Sequence, residues 1–330
     1  MKLTHLASAA TLAIIAGSAA SASECGELTM AEMNWASAEL MANVDKIILE
    51  EGYGCDVELI PGATTTTFAS MNEKGEPDVA GELWINAVRD LLVPAMEEGR
   101  LHSLVEGPIT GLGEGWWVTE KFAADHPDLN TVEKVLEHPE LFPYAEDASK
   151  GAFMGCPAGW GCQLSNANLF HAFDMENKGW TLVDPGSAAG LDGAIAKAAE
   201  RDEPWFGYYW APTSVLGSYP MVMVETAPYN EVTHTCNLTE DCATPGLSAY
   251  PTADVLTIAT SDFVEREPDA AELMRNLSFT NDQMNEVLAW QDSNSASYEE
   301  AAVYYLTNYK DVWSEWLNAE ARGKLAALLK

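Results

Sequence analysis

Of the eleven tryptophans in this chain, Trp35, Trp84, Trp116 with Trp117, Trp160 and Trp210 fall at strand ends or in glycine-rich loops. Strand ends are where open α/β sheets present side chains to ligands. An indole face is the strongest aromatic partner for a cation, at about 0.5–2 kcal/mol each. Three or four such faces, together with burial of apolar methyl groups, reach the roughly −8 kcal/mol of micromolar binding. The segment Cys156-Pro157-Ala158-Gly159-Trp160-Gly161-Cys162 adds a second kind of chemistry. A disulfide across so short a loop would hold Trp160 rigidly and leave the backbone N–H groups of Gly161 and Cys162 free as donors. Glu82 and Glu114 flank the aromatic positions and supply carboxylates. In an extended strand Glu114 and Trp116 share one face, and Trp117 takes the other. The chemistry these residues fit is capture of a small cation that carries a polar end. Any one of these tryptophans alone reads more readily as core than as ligand contact, and each glutamate alone more readily as a solvated surface acid. Their joint placement sets them apart from Trp180, Trp205, Trp290, Trp313 and Trp316, which are assigned to core or surface.

The elements that must position them follow an alternating pattern. Glu27–Met30 reads as a strand, and Ala36–Glu51 as a helix with Leu40, Val44, Ile47 and Ile48 at helical spacing and Gly52 as its stop. Asp56–Ile60 is the next strand, so this β-α-β unit is expected to be parallel. Thr64–Asn72 continues as a helix and Pro77–Trp84 as a strand. A short strand at Trp116–Val118, helices near 131–137, 166–175 and 191–200, and an aromatic strand at Trp205–Trp210 follow. The stretch 228–248 reads as a loop, and from Ala270 the pattern is helical almost to the end. The expectation is α/β with two lobes: residues 23–112 and 215–330 in one, 113–214 in the other.

The N-terminus has the three parts of an export signal: Lys2, an apolar stretch from Leu6 to Ala16, and Ala20-Ser21-Ala22 as a cleavage site. A signal peptide over residues 1–22 and a periplasmic protein beginning near Ser23 are expected. Six cysteines in an oxidising compartment make disulfides the default. They allow fifteen connectivities, of which proximity favours Cys156 with Cys162 and Cys236 with Cys242, leaving Cys25 with Cys55. Cys25 and Cys55 each precede one of two parallel strands, which places them together independently. The formal net charge of −34 at pH 7 excludes nucleic acid and anionic membrane surfaces as natural partners. It suits a protein whose surroundings are salty enough to screen self-repulsion.

The disulfide-closed Trp160 loop resembles the signature of glycine betaine/proline betaine-binding proteins of ABC importers. So do Gly81-Glu82-Leu83-Trp84, Gly207-Tyr208-Tyr209-Trp210-Ala211-Pro212-Thr213 and Thr280-Asn281-Asp282-Gln283-Met284-Asn285, which span nearly the whole chain in consistent order. The resemblance implies a type II periplasmic binding protein, a monomer with its ligand in an inter-lobe cleft that closes on binding. It implies that Trp84 reaches the ligand from one lobe and Trp160 and Trp210 from the other, with the amides of Gly161 and Cys162 beside them. A membrane permease and an ATPase are the implied partners, and no cofactor is implied. The chain departs from the betaine pattern at Val88, where that family can carry a histidine. Together with Glu82, Met33-Asn34-Trp35-Ala36-Ser37 and Glu114-Gly115-Trp116-Trp117, this looks like the trimethylamine N-oxide-binding branch. The ligand-contact set expected from all of this is Trp35, Glu82, Trp84, Glu114, Trp116, Trp160, Gly161, Cys162 and Trp210. Glycine betaine and choline remain alternatives.

Two other function classes compete with this one. A secreted hydrolase would need a nucleophile, yet neither G-x-S-x-G nor H-E-x-x-H occurs and the even cysteine count argues against a free thiol. A glycosidase using paired carboxylates is the remaining enzymatic reading. An adhesive or structural protein would show repeats or a low-complexity stalk, which this chain lacks. The histidines are scattered, and Glu240 with Asp241 matches no calcium-loop spacing.

Overall fold

The computed structural model describes residues 25–109, 113–211, 213–251 and 254–329, so the expected leader over 1–22 lies outside the described residues. Ten strands form two sheets. They are β1 (Glu27–Met33), β2 (Asp56–Gly62), β3 (Val79–Trp84), β4 (Leu101–Glu106), β5 (Gly113–Thr119), β6 (Gly151–Met154), β7 (Trp180–Val183), β8 (Phe206–Ala211), β9 (Met221–Met223) and β10 (Val255–Thr260). The first sheet has the order β2-β1-β3-β10-β4 and the second β7-β6-β8-β5-β9. The chain passes from the first sheet to the second between β4 and β5 and returns between β9 and β10.

The first β-α-β unit forms as its pattern predicts. Leu40, Val44 and Ile48 of the helix Ala36–Ile48 are buried without exposure, and β1 runs parallel to β2 with Glu27 opposite Asp56. That register brings Cys25 and Cys55 together, their Cα atoms 4.4 Å apart across a disulfide. The helix runs on into a wider turn, Leu49–Tyr53, and stops at Gly54 in the left-handed region with φ 76°, beyond the expected Gly52. The other two disulfides, Cys156–Cys162 and Cys236–Cys242, also form as proximity favoured.

Some elements differ from the sequence reading. β10 escapes it because all six of its residues are buried, so no polar alternation marks it, and it lies antiparallel between β3 and β4. The segment read as a loop holds the helix Glu231–Asn237, capped by the Asn230 side chain, which accepts from the Thr233 N–H at 2.9 Å. β9 extends the second sheet past residue 214, where a return to the first lobe was expected; its pairing with β5 keeps the chain there until β10. The C-terminal helices begin on capping boxes, Thr280 with Gln283 and Ser297 with Glu300, so the Thr280-Asn281-Asp282-Gln283 motif starts a helix. These helices complete the first lobe's core, with Tyr305, Leu306 and Trp313 packed among Leu40, Val44 and Val287. The second lobe's core forms around Trp116, Phe153, Trp180 and Phe206.

Candidate functional site

A cavity lies where the strand ends of the two sheets face one another. Trp84 closes β3 and Trp210 stands one residue from the end of β8. Trp35 and Trp160 are the N-cap residues of the helices Ala36–Ile48 and Gly161–Ala172, held in extended backbone that turns their side chains out of the helices. All four line the cavity, with Glu114, Gly161, Cys162 and Tyr208. Thr64, Asn86, Ala87, Ser165, His234, Leu238 and Tyr250 complete it. The space among these residues is about 530 Å³, open solvent included. No lysine or arginine lines it among the described residues.

The rings meet edge to face. Trp160 sits 5.5 Å from Trp35 and 5.0 Å from Trp210 at interplanar angles of 79° and 81°, and Tyr208 stacks beyond Trp210 at 6.5 Å. Indoles at right angles present several π faces to one volume, the arrangement that surrounds a compact cation. The lobes touch at the same place. The Trp160 indole donates to Asn34 Oδ1 at 2.6 Å, and the Thr65 N–H and hydroxyl donate to the Gly159 carbonyl at 3.3 and 3.1 Å.

The two expected carboxylates occupy different positions. Glu82 does not line the cavity but lies behind it, only 2 % exposed. Its Oε1 accepts from the Trp35 indole at 2.7 Å, the Trp84 indole at 2.9 Å and the Ser37 hydroxyl at 3.0 Å, so one oxygen fixes two walls. Burial pushes its carboxyl up to about 6, against the lowering by those three donors. Glu114 does line the cavity, half-buried, and accepts from the Tyr208 hydroxyl at 2.6 Å. Burial pushes it up to about 7, with Tyr208 opposing.

Trp116 is not brought to the cavity. Its position two residues along β5 from Glu114 keeps the same face but carries it into the second lobe, where it packs on Phe153, Phe173 and Phe206 and donates to Asn166 Oδ1 at 2.8 Å. Trp117 points the other way and donates to the Tyr209 carbonyl at 3.0 Å. Gly161 and Cys162 begin the helix Gly161–Ala172, so their amides lack intrahelical acceptors, and both residues line the cavity.

Tyr208, Tyr250 and His234 were not singled out by sequence. Tyr208 carried a usable signal, since it precedes Trp210 by two residues in a strand and so shares its face. Tyr250 and His234 come from the segment between β9 and β10, which has no periodicity to read. Among the described residues no group of three or more histidine, cysteine or acidic side chains is placed to hold a metal, Glu240 and Asp241 included.

Residues 26–308 match the family described as the substrate binding domain of ABC-type glycine betaine transport systems. The trimethylamine N-oxide-binding protein of Pelagibacter ubique is 22% identical over 324 residues, covering 95% of this chain and 98% of that one. Among solved structures, a glycine betaine/L-proline-binding protein from Borrelia burgdorferi aligns with a TM-score of 0.71 at 15% identity, covering 91% of this chain and 99% of that one. An ABC-transporter choline-binding protein in complex with choline also aligns at 0.71, with 17% identity and coverage of 93% and 99%. At these identities the structural likeness speaks for the two-lobed α/β fold alone.

Proposed function

We propose that this chain, which belongs to the family of substrate-binding domains of ABC-type glycine betaine transport systems, carries a trimethylammonium compound with a short oxygen substituent, trimethylamine N-oxide foremost. Family membership makes it the substrate-binding component of such a transporter and not an enzyme. The observation that carries the finer reading is the composition of the cavity wall. Trp35, Trp84, Trp160, Trp210 and Tyr208 supply aromatic faces, no cationic side chain lines the cavity among the described residues, and the one carboxyl is Glu114. Methyl groups on a cationic nitrogen suit the aromatic faces, and the oxygen falls to the polar end.

Glu114 discriminates between candidates. With its carboxyl near 7, a fraction is protonated at neutral pH and donates to an N-oxide oxygen. The full carboxylate of glycine betaine meets repulsion from the ionised fraction. The likeness to a trimethylamine N-oxide-binding relative supports the same choice. Three disulfides fit an oxidising compartment, and with the leader expected over residues 1–22 they support a periplasmic location. The division we propose has residues 25–109 and 254–329 in one lobe and 113–251 in the other, following the two sheets.

Calorimetric titration with trimethylamine N-oxide, choline and glycine betaine at pH 6 and pH 8 tests the reading. Trimethylamine N-oxide is expected to bind tightest at pH 6 and to weaken several-fold at pH 8 as Glu114 ionises, whereas choline strengthens. Glycine betaine binding tightest at both pH values would overturn it.

A further inference from the structure

The segment between β9 and β10 is built as a rigid wall. Its helix Glu231–Asn237 is stapled by Cys236–Cys242. Asn237, fully buried, donates to the Gly246 carbonyl at 2.9 Å and accepts from the Gly246 N–H at 3.2 Å. Asn168, on the helix that begins at Gly161, donates to the carbonyls of Asn237 and Thr239, both at 2.9 Å. The Ser248 hydroxyl accepts from the Asn230 N–H at 2.9 Å. The two Asn168 bonds tie the segment to the helix that carries Gly161 and Cys162, and the others brace it internally.

What the wall presents to the cavity is His234. The residue is 5 % exposed and lines the cavity with Tyr250, whose ring lies 5.9 Å away. Its Nε2 is shielded from solvent and has no hydrogen-bond partner among the described residues. Burial pushes the imidazole down to about 4, so the ring is neutral at working pH and one ring nitrogen is a donor, the other an acceptor. Two neighbouring polar groups of the cavity are already partly engaged, Glu114 through Oε1 alone. The Glu114 carboxyl accepts from Tyr208, and the Tyr250 hydroxyl donates to Asn166 Oδ1 at 2.8 Å and accepts from Ser165 at 3.2 Å. A buried polar atom without a partner is costly, which favours any occupant that supplies one.

We propose that His234 is a specificity-determining residue of this cavity, its Nε2 hydrogen-bonding the oxygen substituent of the methylated ammonium ligand while the tryptophans hold the methyl groups. This rests on the functional reading above and adds to it the residue that separates oxygen-bearing ligands from bare methylated cations. No cationic charge is needed for this role, so the neutral ring suits a zwitterionic N-oxide and an alcohol alike.

The test compares trimethylamine N-oxide with tetramethylammonium, which has the methyl groups and no oxygen, by calorimetric titration of the wild type and of His234→Phe and His234→Gln. In His234→Phe, trimethylamine N-oxide affinity is expected to fall about tenfold, with tetramethylammonium held within about twofold. His234→Gln is expected to recover part of the loss. Equal losses for both ligands, or no loss, would overturn the proposal while leaving the aromatic site standing. Binding of neither ligand to the wild type would overturn the functional reading and this inference with it. Should His234→Phe fail to fold, nitrogen NMR of histidine-labelled wild type decides. The Nε2 signal of His234 should shift with trimethylamine N-oxide and stay put with tetramethylammonium, and no shift with either contradicts the proposal.

Discussion

Glu82 acts through the residues in front of it. One buried oxygen takes two indole N–H groups and a hydroxyl, so the angle between the Trp35 and Trp84 rings is set by a carboxylate that does not line the cavity. Glu82→Ala is expected to release both rings and weaken ligand binding by more than tenfold, while Glu82→Gln keeps an acceptor there and binds within a few-fold of wild type. The same pair reports on pH. A carboxyl raised to about 6 in the folded state contributes stability that is fully present below its ordinary value near 4.5 and is lost as pH rises through 6. For Glu82 that loss is about 2 kcal/mol, at 1.36 kcal/mol per unit. Thermal unfolding followed from pH 4.5 to 7.5 should therefore show a shallower decline in Glu82→Gln than in wild type; parallel curves would contradict this. Part of the arrangement was legible in the sequence, because Glu82 and Trp84 are two apart on one strand and must share a face. What the sequence withheld was depth: whether a carboxylate on that face reaches the cavity depends on the bulk of the rings around it, and Trp35 arrives from the N-cap of the helix Ala36–Ile48.

At the scale of elements, the Cys156–Cys162 loop and the helix it opens do two things. They hold Trp160 at a helix N-cap, and they bring glycine backbone against the other lobe. A Cβ on Gly161 would stand 2.7 Å from the Ala87 Cβ, and one on Gly159, where φ is 86°, 3.1 Å from the Ala63 Cβ. Gly161→Ala is thus expected to hinder closure and weaken ligand binding about tenfold, with the unfolding temperature of the ligand-free protein little changed. Solution scattering checks the cause, since the variant's radius of gyration should shrink less than that of the wild type on adding ligand. An unaltered affinity would mean that the lobes do not approach this closely when loaded. Trp160→Ala should abolish binding with circular dichroism unchanged, and retained affinity would remove the loop from the site. The pattern of these elements was readable wherever one face is buried and one solvated, as in the helix Pro268–Asn276. β10, buried on both faces, and the stapled wall carrying His234, with no period at all, were not.

Across the whole molecule, two sheets joined by two crossings form a cleft, and the side chains that line it come from both. Ligand binding can shift the lobes toward closure only if the closed form binds more tightly. On the proposed reading, Trp35 and Trp84 from one lobe and Trp160, Trp210 and Tyr208 from the other would provide that difference, since opening would separate the two sets of rings. The formal charge of −34 acts on the same scale. Self-repulsion opposes the compact state and is screened within about 8 Å at physiological ionic strength. The unfolding temperature is therefore expected to rise as sodium chloride is raised from 50 mM to 500 mM, and a flat or falling response would show that charge repulsion has no measurable hold on stability.

The tryptophan-walled cavity is proposed to bind a methylated ammonium solute. Titration of intrinsic tryptophan fluorescence with trimethylamine N-oxide, on protein shown to be folded and at fixed salt, tests it most directly. A saturable change at micromolar ligand that disappears in Trp160→Ala is the predicted result. No response, or the same response with and without Trp160, would contradict it.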